Sequence, residues 1–347
     1  MEIRARRRFP RLSPTSFTHP LDTAALNTLK AARGLDYLTK VAMEWVGERL
    51  VHIDAISSKV MCGPNQCPEL FDKMRLATSV LDMPLPKMYV EFNPLPNAFA
   101  YGVTNPCLIL TTALIELLEE EELLAVIAHE LGHILCGHSL FRTMARQVEV
   151  ITEEIGKATL GVGKLITKGL VYALWEWYRK SEYSADRAAL LVVQDPNVIV
   201  GVMMKLAGGV GKLAGSMNRE QFLKQADEYD AFDASTINIA YKMFQQMNLS
   251  HPIPILRARE VTRWASDRGF RDINDGKYAR RATGKDPCDS CHSTATEADA
   301  YCPRCGQPRA SAEGKSAEGK RTDLHCKSCY AAVPSLLGQC PVCGKAL

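Results

Sequence analysis

Apolar residues recur at three- and four-residue steps from Thr23 to Lys59, at Leu26, Leu29, Leu35, Leu38, Val41, Trp45, Leu50 and Ile53. That period predicts helix. Pro68 to Leu81 repeats it. The pattern then changes to alternation. Lys87 to Phe92, Ala98 to Val103 and Cys107 to Thr112 read as three short strands, with turn clusters at Asn93 to Asn97 and Thr104 to Pro106. Helical spacing returns from Thr112 to Leu118 and in an apolar run from Glu121 to Gly137. Glu119 to Glu122 put negative charge at the start of that run, where the helix dipole favours it. Trp175 to Val193 is helical, Val198 to Lys212 is apolar and Gly-rich, and Asn218 to Met247 is polar and helical. In the last of these, Tyr229, Phe232, Ile237, Ile239, Tyr241 and Phe244 are the expected packing residues. A basic helix with Arg257, Arg259 and Arg263 follows. The fold class expected is α+β, mostly helical, with a small sheet beside the apolar 121–137 helix.

That helix carries the chemistry. His129, Glu130 and His133 form H-E-x-x-H. Side chains four apart share a helix face, about 5–6 Å between Cβ atoms, so both imidazoles can reach one metal ion. Glu130 lies on the adjoining face, where it can reach a water held by the metal and act as general base, then general acid. The motif is that of zinc metalloproteases. The bland reading is a pair of hydrogen-bonded core histidines. Against it, Gly132 removes a side chain between the histidines, and Gly137 suits a helix end. Glu182 and Asp186 repeat the four-residue spacing on a later helix. A carboxylate beside two histidines completes one known class of catalytic zinc site, and Asp186 could accept from a ligand histidine's free ring nitrogen. Acidic pairs are also common on solvated helix faces, so spacing leaves both readings open.

The chain has 347 residues and a formal net charge of +3, which carries no message about nucleic acid or membranes. No apolar run is long enough to span a bilayer; Ala158 to Tyr178 comes nearest, but Lys164 and Lys168 interrupt it. The five arginines of Met1 to Arg11 lack a following apolar segment, so they are no secretory signal. A mobile tail is the plain reading, an anchor on an anionic surface the alternative. Eight of the 12 cysteines fall in four C-x-x-C pairs. Cys288, Cys291, Cys302 and Cys305 form one module and Cys326, Cys329, Cys340 and Cys343 another, each with ten residues between its pairs. Each reads as a small zinc ribbon with a closed four-cysteine site, folded mainly by its metal. Thiolates kept for zinc favour a reducing compartment, hence a cytoplasmic location, with membrane association as the alternative. Cys62 and Cys67 are too widely spaced for a convincing metal pair.

Several motifs occur together in order: Asn97, Ala98, Phe99 and Ala100; Thr111 and Thr112; Ala128 to His133; and Glu182 to Asp186. Over residues 85–265 the chain resembles the gluzincin metallopeptidases that include HtpX and the CAAX prenyl proteases. The resemblance implies Glu182 as third zinc ligand and Asp186 as the group that orients the site. It implies that the Asn97 to Thr112 strands border the cleft and pair with an extended substrate. The family commonly carries a His-Pro motif with a later arginine, here His251, Pro252 and Arg257. His251 would then bind the oxyanion and Arg257 would support it; the bland reading is a helix-start histidine and a solvated arginine. The clear transmembrane helices of the best-known members are absent from this chain.

The domains expected are a disordered basic tail (1–22), a helical region (23–82), the metallopeptidase domain (83–270), a linker (271–287), ribbon one (288–306), a flexible tether (307–323) and ribbon two (324–347). The function expected is a zinc metalloendopeptidase with one catalytic and two structural Zn2+. Its partners would be a peptide or protein substrate and a protein held by the ribbons. Nucleic acid ranks last, because the ribbons show neither a stacking platform nor a dense basic stripe. The alternative is an inactive protease-like scaffold whose ribbons bind a partner.

Overall fold

The computed structural model describes residues 6–31, 48–102, 106–146, 163–209, 211–231, 253–281, 324–325 and 332–333. Helices are α1 (Pro20–Ala31), α2 (Glu48–Ser58), α3 (Pro68–Leu81), α4 (Thr112–Leu117), α5 (Glu120–Leu135) and α6 (Ser139–Arg146). They continue with α7 (Gly163–Val193), α8 (Pro196–Ala207), α9 (Arg219–Ala231), α10 (Pro254–Ala265) and α11 (Arg268–Asn274). Strands are β1 (Val60–Met61), β2 (Lys87–Glu91), β3 (Ala98–Tyr101) and β4 (Cys107–Thr111), with the short pair β5 (Leu324–His325) and β6 (Ala332–Val333). Mostly helical with a small mixed sheet, this is α+β. The packing residues expected at Phe232 to Phe244 lie outside the described residues.

The sheet order is β1-β2-β4-β3, with β2 and β4 parallel and the outer pairs antiparallel. Every residue of β4 is buried. Its alternate side chains enter two cores, Leu108 and Leu110 on the helix side, Cys107 and Ile109 on the other. Among the described residues β3 pairs only with β4, and its outer edge meets α5 through Ala100 N and Glu130. Thr111 ties this edge down: its hydroxyl donates to Leu95 O at 2.9 Å and accepts from Asn97 N at 2.8 Å.

α5 begins with a reciprocal cap between Glu119 and Glu122. It packs against α7 at close range. A Cβ on Gly132 would stand 2.6 Å from Ala188 Cβ and 3.2 Å from Ala185 Cα, so only glycine permits this approach. α5 ends at Leu135, and Gly137 just beyond it has a left-handed φ of +72°.

Two expectations about boundaries are corrected. The stretch read as a disordered tail is anchored from residue 6 onward: Phe9, Leu12 and Phe17 are buried in the main core. Phe9 N donates to Val80 O at 2.9 Å, and Arg6 pairs with Glu121. Three buried large apolar side chains contribute about 1.5–3 kcal/mol each, enough to hold the segment despite its arginines. The stretch read as a linker completes α11 and buries Ile273. It then forms a bridge between Leu12 and Arg280, and Phe9 meets Tyr278 edge-on. Irregular spacing and many charges hide both segments from a periodicity reading.

Candidate metal centre

α5 and α7 bring four side chains to one buried point. His129, Glu130 and His133 on α5 and Glu182 on α7 are all under a tenth exposed. Nε2 of His129 and Nε2 of His133 lie 3.2 Å apart. Each lies 3.3 Å from a different oxygen of Glu182. One donor atom from each of the three lies within 4.8 Å of the others, the spread one metal ion would bridge. The donor set, two imidazoles and a carboxylate, suits zinc. A guanidinium nitrogen of Arg142 sits at the same point, 2.7 Å from His133 Nε2 and against Glu182. A positive charge thus already stands against His133 and Glu182.

Surrounding groups set the protonation. Burial opposes charge on His129, but hydrogen bonds to Asp186 and Glu182 raise its pKa to about 9. His133 goes the other way: burial and the Arg142 charge hold it neutral, well below the ordinary range. Two Nε2 atoms in contact cannot both carry protons, so the opposite shifts fit. Nδ1 of His129 lies 3.0 Å from Asp186 Oδ1. Arg257 grips Asp186 at both oxygens, at 2.8 and 2.6 Å, and reaches Glu182 at 3.1 Å. Burial would raise the Asp186 pKa, but the Arg257 guanidinium and the His129 hydrogen bond bring it below its ordinary value. Arg257, read either as support for His251 or as a solvated arginine, is buried against these two carboxylates.

Glu130 takes no part in the three-donor cluster. Its Oε2 accepts from the Ala100 backbone N–H at 2.8 Å, on the outer edge of β3. A cavity of ≈ 360 Å³ opens beside it. Asn97, Ala98, His129, Glu130 and Glu182 are among its lining residues, together with the apolar side chains of Leu114, Val126, Ile199, Val202, Met203 and Leu206. Of the four residues expected to border substrate, Asn97 and Ala98 line the cavity and Ala100 meets it through Glu130. Phe99 does not: strand alternation turns it to the opposite face, edge-on to Tyr101 at 5.3 Å. His251 and the eight ribbon cysteines lie outside the described residues.

Sequence reasoning missed Arg142, His138 and Asp22, all buried around His133. Nδ1 of His138 lies 3.0 Å from Nδ1 of His133, and Nε2 of His138 lies 3.1 Å from Asp22 Oδ2. The one signal available was a further histidine five positions after His133.

A zincin-type centre on a mostly helical α+β frame defines the class as a metalloprotease. Residues 64–265 match the family model for Peptidase family M48, and the chain belongs to that family. It is 36% identical over 268 residues to the plastoglobule-localized metallopeptidase 48, chloroplastic, of Arabidopsis thaliana, a match covering 76% of each chain. It is 26% identical over 193 residues to a protease HtpX homolog of Moorella thermoacetica, covering 49% of this chain and 63% of that one. It is 28% identical over 214 residues to protease HtpX homolog 1 of Streptomyces coelicolor, covering 55% of this chain and 68% of that one. Among the described residues no helix is long and apolar enough to cross a membrane.

Proposed function

We propose that the chain is a zinc metalloendopeptidase whose zinc is held by His129, His133 and Glu182. The observation that carries this is the meeting of those three donors beside Glu130 and the outer edge of β3. When bound, zinc supplies a Lewis acid and lowers the pKa of its water from about 15.7 to about 7. The chain's own residues do the rest. An extended peptide lies along β3, using the outward backbone groups of Ala98 and the carbonyl of Ala100. Its large apolar side chain enters the pocket of Val126, Ile199, Val202 and Met203. Glu130, steadied by the Ala100 N–H, takes the proton of the attacking water and delivers it to the leaving amine. Asp186 and Arg257 keep His129 in the tautomer that points Nε2 inward. His251 is proposed to bind the oxyanion.

The cysteine modules are proposed as two structural zinc ribbons that recruit a protein partner. In support, β5 and β6 pair antiparallel, and Cys326 and Cys329 fall between them in the chain. The proposed compartment is the cytoplasm, from thiolate usage; the location in the Arabidopsis relative's name is the rival.

Replacing Glu130 with Gln tests the reading. Cleavage of a protein substrate should be lost while zinc stays bound. Undiminished cleavage would return the chain to the scaffold alternative. The zinc count should be three per chain in wild type and two in His129→Ala.

A further inference from the structure

The two candidate ligand histidines are tethered through Nδ1 by different parts of the chain. His129 meets Asp186 directly at 3.0 Å. His133 meets no carboxylate at Nδ1; it meets Nδ1 of His138 at 3.0 Å, and His138 in turn meets Asp22 at 3.1 Å. Asp22 belongs to α1, outside the residues 64–265 that match the family model.

The hydrogens along this path are fixed by its two ends. Asp22 only accepts, so Nε2 of His138 is the donor there. At the other end, Nε2 of His133 is the atom offered to the metal, with Arg142 at 2.7 Å and Glu182 at 3.3 Å around it, so as a ligand it carries a lone pair and no proton. A neutral imidazole carries one proton, so Nδ1 of His133 holds it and donates to Nδ1 of His138. Every link then has one donor and one acceptor. The lone pair on Nε2 is the atom a metal needs.

We propose that Asp22 and His138 are positioning residues of the metal site, fixing the tautomer and ring orientation of His133 as Asp186 fixes those of His129. This rests on the reading of His129, His133 and Glu182 as ligands.

The surroundings are built for this task. Asp22 also accepts from Trp177 Nε1 at 3.0 Å and from Ser184 Oγ at 2.5 Å, which locks its carboxylate against α7. Ser184 Oγ accepts from His19 N at 2.9 Å, which locks the start of α1 to the same helix. Left-handed Gly137 turns the chain so that the backbone N–H of His138 reaches His133 O at 2.9 Å. All of Asp22, His138, Trp177 and Ser184 are nearly inaccessible to solvent. The hydrogen bond from His138 helps lower the Asp22 pKa against the effect of burial. An ionised carboxylate is the stronger acceptor for the His138 N–H.

The test is zinc affinity by chelator competition on the full chain, with the relevant ion assigned by difference from His129→Ala. Asp22→Asn and His138→Phe should weaken that ion about 10–100-fold. His138→Gln, whose amide oxygen can accept from His133 Nδ1–H, should restore most of it. Ser184→Ala removes one donor from Asp22 but leaves the His138 link, so it should lower the melting temperature of the metal-free protein and keep wild-type affinity. Wild-type affinity in Asp22→Asn and His138→Phe, with lowered melting alone, would overturn the proposal in favour of a packing role. If Asp22→Asn does not fold, the two His138 variants decide by the same comparison. If wild type and His129→Ala release zinc identically, the ligand reading itself fails and this inference falls with it.

Discussion

His129 and His133 sit one turn apart on α5, yet their rings are held in chemically different ways. His129 is tied to a carboxylate that a buried arginine grips at both oxygens. His133 is tied to a second imidazole and only then to a carboxylate. The first tether is dense in charge and lies within the residues the family model matches. The second crosses to α1 and depends on an N-terminal segment held by apolar anchors such as Phe9, Leu12 and Phe17. Two equivalent candidate ligands can thus be steadied by unequal means, and damage to either side should read out differently.

The largest expected effect lies between the tethers and belongs to neither. Glu130→Gln should reduce kcat about 10²–10⁴-fold, the range for losing a general acid–base. The zinc content should not change, because Glu130 bonds to Ala100 and not to the donor cluster. Loss of zinc together with kcat would mean that Glu130 supports the ligands, and the division drawn between chemistry and tethers would break.

Arg257→Met attacks the charged tether. It leaves Asp186 and Glu182 without a cation that now pairs with both, at 2.6 and 3.1 Å. Stranding a buried charge costs about 3–5 kcal/mol, so denaturant unfolding of the metal-free protein should shift by that order. Asp22→Asn on the other tether should shift it less, because Trp177, Ser184 and His138 can still pair in part. Equal losses would show that the two supports are energetically alike after all.

Gly132→Ala tests the frame that both tethers share. The new Cβ would sit 2.6 Å from Ala188 Cβ, which forces α5 and α7 apart. Overpacking of this kind costs about 1–3 kcal/mol. A paired Ala188→Gly change should recover most of it, and failure to recover would mean that the backbone contact at Ala185 dominates. Both variants should weaken zinc binding modestly, since Glu182 and Asp186 move with α7.

The same contrast explains what the sequence could disclose. Helix α3 and strands β2, β3 and β4 follow period and turn chemistry, so their places were readable to within a residue or two. His129, Glu130 and His133 could be read because they form a motif on one helix, whereas Glu182 and Asp186 share a helical spacing but took their roles only from the family resemblance. Arg257 could be named but not placed, since its helix is basic throughout and only the fold shows which arginine turns inward. Asp22 and His138 could not be joined from the sequence: 116 positions of chain separate them, counting from residue 22 to residue 138, and no periodicity links a helix residue to one lying between two helices. Phe99 was misassigned because a motif names consecutive residues whereas a strand sends alternate ones to opposite faces.

The smallest effect comes from the acid limb of stability. Asp22 has a folded pKa below its ordinary value of 3.8, because hydrogen bonds and charge from His138, with Ser184 and Trp177, outweigh burial. A depressed carboxylate stabilises the fold above its unfolded pKa and loses that contribution as pH falls through the folded value. The window therefore lies below about 4, not near neutrality. Unfolding of metal-free wild type and Asp22→Asn should be measured from pH 6 down to the acid limit. The other buried carboxylates titrate in both proteins and cancel in the difference, as distant sites do. The difference should be flat at the upper end and should shrink below about pH 4, where wild type protonates a group the variant lacks. A difference that stays constant through that range would mean that Asp22 is not held ionised by its neighbours. The charge that steadies His138, and through it His133, would then have to come from somewhere other than α1.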